Sequence, residues 1–132
     1  MIQVWIDGAA RPNPGKGGIG VVIRGGNWDY TINKGMSGNK ITNNMAEYYA
    51  LCWALGELKR NQLLDKEITI YSDSEMLVLQ MNGKKGVDRG KYLEYYMLAS
   101  QLANEFGKLT FAWVPRDENA EANLLASRAL KL

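Results

Sequence analysis

The sequence predicts an α/β domain, a five-stranded mixed sheet with helices on both faces, and three observations carry that reading. Three strand patterns follow one another near the start with only turns between them, as in an antiparallel meander. Two further strand patterns are reached through helical stretches, and such crossovers set strands parallel to the first. The first and fourth strand patterns are apolar on both faces, the mark of central strands covered above and below. A length of 132 residues suits one domain over 1–132 with a normal core. With 46% apolar and 23% charged residues, the chain falls among globular proteins and not disordered ones.

The first strand pattern is Ile2-Gln3-Val4-Trp5-Ile6, with Ile2, Val4 and Ile6 on one face and Trp5 on the other. It is expected to end on Asp7-Gly8, before a turn rich in Gly and Pro. Taken alone, that dipeptide is a turn start and nothing more. Ile19 to Arg24 and Trp28 to Lys34 follow as strands, with Gly25-Gly26-Asn27 as the hairpin signal between them.

The period then becomes helical from about Asn43 to Arg60, where Leu51, Leu55 and Leu58 form a stripe. Glu47 lies on that stripe, where a carboxylate is costly unless paired or metal-bound. The plainer alternative makes Asn44 the N-cap and Glu47 its capping-box partner. Ile68-Thr69-Ile70-Tyr71 is the fourth strand, delivering Asp73 at its carboxyl end much as the first delivers Asp7. Asp73 read alone is the cap of the next helix, which starts near Met76 and stops at Gly83.

Lys84 to Lys91 is the one basic cluster, read first as a solvated loop and second as a nucleic-acid contact. A helix from about Lys91 to Phe106 carries the stripe Tyr92, Tyr96, Ala99, Ala103 and Phe106. Leu109 to Val114 is the fifth strand, and a last helix runs from about Glu118 to Leu130. Asn123 lines up with Ala126 and Leu130 on that helix, facing inward or to the rim; its plainer reading is a buried amide bonded to backbone.

Composition excludes several chemistries. The absence of histidine removes Ser-His-Asp and Cys-His catalysis and the histidine zinc motifs. One cysteine, Cys52, leaves no internal disulfide and reads as a core residue. No apolar run approaches the ~20 residues of a membrane span. The opening residues lack a basic start and a small-residue cleavage site, so a cytoplasmic protein is expected. The formal charge is +2, and setting aside Asp7, Glu47 and Asp73 leaves 16 basic residues against 11 acidic ones. A basic surface around an acidic centre suits a polyanion held at metal ions.

On the predicted sheet, Asp7 and Asp73 sit at the carboxyl ends of neighbouring parallel strands, where ligands gather, and Glu47 projects from a helix packed on it. Three acids so placed repel one another unless cations intervene. Ligands that are all oxygen favour Mg²⁺ or Mn²⁺ over zinc.

With these residues in place, the chain resembles a type 1 ribonuclease H over essentially its whole length. The matching pieces are Asp7-Gly8-Ala9 with Asn13-Pro14-Gly15 and Gly17-Gly18-Ile19-Gly20; Thr42 to Glu47; Tyr71-Ser72-Asp73-Ser74; and Trp113-Val114-Pro115-Arg116 with Asn119 to Ala126. The resemblance implies a ribonuclease H-like fold and endonucleolytic cutting of the RNA strand of an RNA–DNA hybrid. It implies two Mg²⁺ or Mn²⁺ ions, roughly 4 Å apart, that activate a water and stabilise the leaving 3′ oxygen. By the same resemblance Asp7 bridges both ions, Glu47 and Asp73 complete their shells, and Asn123 takes the fourth position. Glu47 also falls near the 2′-hydroxyl that distinguishes RNA from DNA. Asn13, Asn43 and Asn44 match minor-groove contacts, Lys40 and Thr42 a grip on a DNA-strand phosphate, and Ser74 a further nucleic-acid contact. The protein is expected to act as a monomer.

Three departures from the family pattern stand out. Asn123 replaces the usual aspartate. No histidine stands in the loop before it, so Arg116 is the nearest charged group for helping product leave. The extra helix and basic protrusion of several members shrinks to the Lys84–Lys91 loop. An active metal-dependent nuclease is the first reading. A hybrid-binding homologue with little or no cleavage is the second, and a nuclease of the same fold on another nucleic acid, such as a junction resolvase, a distant third.

Overall fold

The computed structural model describes residues 1–131. Five strands form one sheet: β1 (Ile2–Arg11), β2 (Lys16–Gly25), β3 (Trp28–Gly35), β4 (Glu67–Ser72) and β5 (Lys108–Trp113). They lie in the order β3-β2-β1-β4-β5. β1 is central, as its two apolar faces require. β1, β2 and β3 are antiparallel neighbours, while β4 runs parallel to β1 and β5 parallel to β4. The helices are α1 (Asn43–Arg60), α2 (Glu75–Met81), α3 (Leu93–Ala103) and α4 (Ala120–Ala129).

Both faces of the sheet are covered. On one, Ile2, Val4 and Ile6 of β1 pack with Tyr48, Leu51 and Leu55 of α1, Leu77 of α2 and Ala99 of α3. On the other, α4 lies against β2, where a side chain at Gly20 would collide with the Ala122 carbonyl. Trp5 is half-buried on that face and stacks on Tyr71, with ring centroids 5.3 Å apart. Cys52 is a buried core thiol whose Sγ donates to the Tyr95 carbonyl, and burial pushes it up to about 12. No helix among the described residues is long and apolar enough to cross a membrane.

Several boundaries differ from the sequence reading. β1 does not end at Asp7; it continues to Arg11, because β2 pairs with it as far as Arg11↔Lys16. The Gly- and Pro-rich turn is therefore confined to residues 12–15. The helix expected over 91–106 spans Leu93–Ala103, since the chain turns at Gly90 to Leu93 and Gly107 is drawn to the Leu64 carbonyl. The last helix is preceded by a 3₁₀ turn over Arg116–Asn119 and begins at Ala120. α2 stops at Met81, two residues before Gly83, whose φ of +71° disfavours other residues.

Candidate active site

Register brings the two aspartates together. Ile6 is the last residue of β1 paired with β4, opposite Ser72, so Asp7 and Asp73 are the next residues along two adjacent parallel strands. Asp7 is buried and Asp73 half-buried. Glu47 reaches the same place from α1 and is itself buried. It can do so because β1 carries glycine at position 8: a Cβ there would collide with the Ala46 backbone. The Gly8 amide donates to Glu47 Oε1 at 3.2 Å.

The capping alternatives do not hold. Thr42 is the N-cap of α1, its hydroxyl accepting from the Met45 amide at 3.2 Å, so Asn44 is not the cap and Glu47 stands two residues beyond the capping-box position. Ser74, not Asp73, caps α2 by accepting from the Leu77 amide at 3.2 Å. Neither Glu47 nor Asp73 is thereby engaged in capping. One carboxylate oxygen from each of Asp7, Glu47 and Asp73 falls within 4.8 Å of the others.

That arrangement is electrostatically unfavourable without cations. Burial, then the charge of Asp73, raises the Asp7 carboxyl to about 7, against smaller opposing effects of Glu47, Arg116 and the Gly8 amide. Burial and the charges of Asp7 and Asp73 hold Glu47 well above the ordinary carboxylate range. Glu47 Oε2 is buried with no hydrogen-bond partner. An orphaned buried oxygen beside two further carboxylates fits a divalent cation, and the all-oxygen donor set fits Mg²⁺ or Mn²⁺.

Asn123 joins the cluster from α4. Its Nδ2 donates to the Arg116 carbonyl at 3.3 Å and approaches Asp73 Oδ2 at 3.5 Å, while its Oδ1 is buried without a partner. The buried-amide reading thus accounts for one half of the side chain, and the unpartnered oxygen is left for something else. Asn119 anchors the start of α4 to β1, its Nδ2 donating to the Ile6 carbonyl at 2.9 Å, one residue before Asp7.

The carboxylates open into a cleft of about 410 Å³ that Asn43, Asn44, Ser74 and Arg116 also line. Asn13 and Asn43 form one chain of contacts: Asn13 Oδ1 accepts from the Asn43 amide at 3.1 Å, and Asn43 Oδ1 accepts from the Ala10 amide at 2.9 Å. Each therefore uses its carbonyl oxygen to fix the backbone and keeps its NH₂ as the group for an outside acceptor. A backbone bridge between Gly15 and Ile41 brings Lys40 and Thr42 alongside. Lys40 is exposed; it lines a neighbouring groove and not the carboxylate cleft. Arg11 and Ser127 also line the cleft, joined Nη2 to Oγ at 3.3 Å, and no sequence motif singled them out. Gly8 was readable in principle, since a glycine inside a strand often marks a close backbone approach.

The fold and the carboxylate cluster define a ribonuclease H-like domain. A family model described as reverse transcriptase-like matches residues 6–129. A ribonuclease H of Acidovorax sp. is 30% identical over 149 residues, a match covering 99% of this chain and 95% of that protein. The bifunctional protein Rv2228c of Mycobacterium tuberculosis is 33% identical over 130 residues, 98% of this chain. This chain spans only about a third of such first curated relatives, 35% of their length. Among solved structures, LC11-RNase H1 in complex with an RNA/DNA hybrid superposes with a TM-score of 0.90 at 34% identity, covering 99% of this chain and 97% of that one. LC11-RNase H1 was isolated from compost by a metagenomic approach. The chain belongs to the type 1 ribonuclease H family.

Proposed function

We propose that this chain hydrolyses the RNA strand of RNA–DNA hybrids with divalent metal ions held by Asp7, Glu47 and Asp73, assisted by Asn123. The observation that carries it is the convergence of three carboxylate oxygens within 4.8 Å, with one oxygen of Glu47 buried and unpartnered. Bound there, Mg²⁺ or Mn²⁺, two ions with substrate present, supplies an activated water and neutralises charge on the scissile phosphate and the leaving oxygen.

The chain's own residues hold and orient the substrate. Asn13 and Asn43 present their free NH₂ groups, and Asn44 its side-chain amide, to the minor groove, where such donors suit the acceptors of base edges and 2′-hydroxyls. Lys40 and the Thr42 hydroxyl receive a phosphate of the DNA strand, and Ser74, at the start of α2, contacts the strand passing Asp73. Arg116 sets a fixed cation at the cleft wall, where it attracts the phosphate and helps released product depart. The hybrid bound to LC11-RNase H1 supports this substrate. The proposal includes a single domain over residues 1–132, acting as a monomer in the cytoplasm.

The binding-only alternative, which Asn123 raised, is not favoured, because the three central carboxylates are intact and a relative matched over 95% of its length is named a ribonuclease H. The test is a panel of end-labelled substrates of one sequence: RNA–DNA hybrid, single-stranded RNA, duplex RNA and duplex DNA. Cutting confined to the RNA of the hybrid, and stopped by EDTA, is expected. Hybrid bound but never cut in either metal would establish the alternative.

A further inference from the structure

We propose that the groove between α1 and α3 is a binding site for a small aromatic carboxylate, its ring held among Tyr49, Trp53 and Tyr95 and its anionic end by Arg60. None of the residues lining this groove lines the carboxylate cleft, so the inference stands apart from the nuclease reading.

The groove depends on one residue. α1 carries glycine at position 56, in its interior, where glycine weakens a helix. Gly8 and Gly20 are explained by the close approach of another helix's backbone, but Gly56 is not: a Cβ there would meet nothing within 4 Å. What the missing side chain leaves is a cavity of about 610 Å³ that Gly56 itself lines. Its size and its largely apolar lining are those of a small-molecule pocket.

The walls are aromatic. Tyr49 stands edge-on to Trp53, with centroids 6.3 Å apart and planes at 70°, and to Tyr95, at 5.4 Å and 75°. All three rings line the cavity, so a further flat ring entering it can add edge-to-face or offset contacts. Cys52 fastens the two helices at this point, its Sγ donating to the Tyr95 carbonyl at 3.2 Å.

Charge selects the rest of the ligand. Among the lining residues only Glu57 and Arg60 carry an ionic charge. Glu57 is buried, and both its oxygens accept from Nη2 of Arg60, each at 2.8 Å. Its charge is thus answered within the chain. Arg60 is exposed and engages Glu57 through that one nitrogen, which leaves the other donors of its fork for a second acceptor. Lys34 adds a further cation, its Nζ 4.8 Å from the Trp53 ring centroid. Cations therefore outnumber the acid here, and an anionic end complements that excess where a cationic one is repelled. A carboxylate also matches the planar guanidinium in shape.

The test titrates three probes with one ring system, naphthoate, naphthamide and naphthylmethylammonium, into isotope-labelled protein and follows the amide and indole resonances. Naphthoate should shift the Gly56 amide and the Trp53 indole with a Kd below about 1 mM. Naphthamide should bind at least about fivefold more weakly, and the ammonium more weakly still. Gly56→Leu places a better helix former in empty space, so it should keep or raise Tm while weakening naphthoate at least about tenfold. Glu57→Gln/Arg60→Gln removes the cation without stranding a buried acid. It should lower naphthoate to the affinity of naphthamide and leave naphthamide within about twofold. No shift at Gly56 or Trp53 with any probe at about 2 mM would overturn the proposal. So would equal affinity for all three probes, or a Gly56→Leu protein that binds like the parent. A parent that sediments as a dimer while Gly56→Leu is monomeric would give the groove to a second copy of the chain, and would overturn it too.

Discussion

The Gly8 amide donates to Glu47 Oε1 at 3.2 Å, so the residue after one carboxylate of the cluster holds another in place. The contact exists because α1 touches β1 at a position without a side chain. Gly8→Ala inserts a methyl group into the Ala46 backbone. It should destabilise the protein by about 1–3 kcal/mol, as overpacking does. It should also lower cleavage at least about tenfold at temperatures where the variant is still folded, because Glu47 moves with the helix. Thermal unfolding and cleavage rates, measured together, check this; full activity with only a lowered Tm would detach Glu47's position from Gly8.

The raised Asp7 carboxyl makes a prediction about pH. Its folded value of about 7 lies above the unfolded value of about 3.9. A group raised in this way contributes its stability fully below pH ~4 and loses it as pH rises through ~7, and Glu47 shifts in the same direction. In EDTA, Asp7→Asn should therefore gain stability over the parent as pH rises from 5 to 8, on the order of 2 kcal/mol at the upper end. Saturating Mg²⁺ should narrow that gap by stabilising the parent, since only the folded site binds it well. A Tm difference independent of pH would contradict the assignment.

Asn123 separates a ligand from a packing residue. Its Oδ1 is buried and unpartnered while its Nδ2 is occupied. Asn123→Ala removes that oxygen and should cut the rate by about tenfold or more. Asn123→Asp adds a charge beside Asp73 and should alter metal preference while changing the rate only moderately. Equal rates for asparagine and alanine would leave Asn123 no direct role.

Much of this was legible from residue order. The sheet topology followed from two facts: three strands in immediate succession, then two strands behind helices. The pairing of Asp7 with Asp73 followed from reading both at carboxyl ends of apolar strands, although Asp7 lies where β1 leaves β4 and not at the end of β1. What could not be read is equally specific. That β1 continues past Asp7 depends on β2 pairing across the Pro-rich turn, a long-range contact with no local signal. Thr42 and Ser74 take the caps from Asn44 and Asp73 by one or two positions, a difference that capping preferences do not resolve. The Arg11–Ser127 contact gave no sign at all, since its two residues lie 116 positions apart and meet only in the fold.

The account's central claim is that Asp7, Glu47 and Asp73 act together through divalent metal on the RNA of a hybrid. Single-turnover cleavage of a labelled RNA–DNA hybrid by the parent and by Asp7→Asn, in Mg²⁺ and in Mn²⁺, tests it most directly. The parent should cut the RNA strand in at least one metal, and Asp7→Asn should be slower by about 10³-fold or more while binding hybrid no more weakly. An Asp7→Asn protein that cuts at the parent's rate would contradict it.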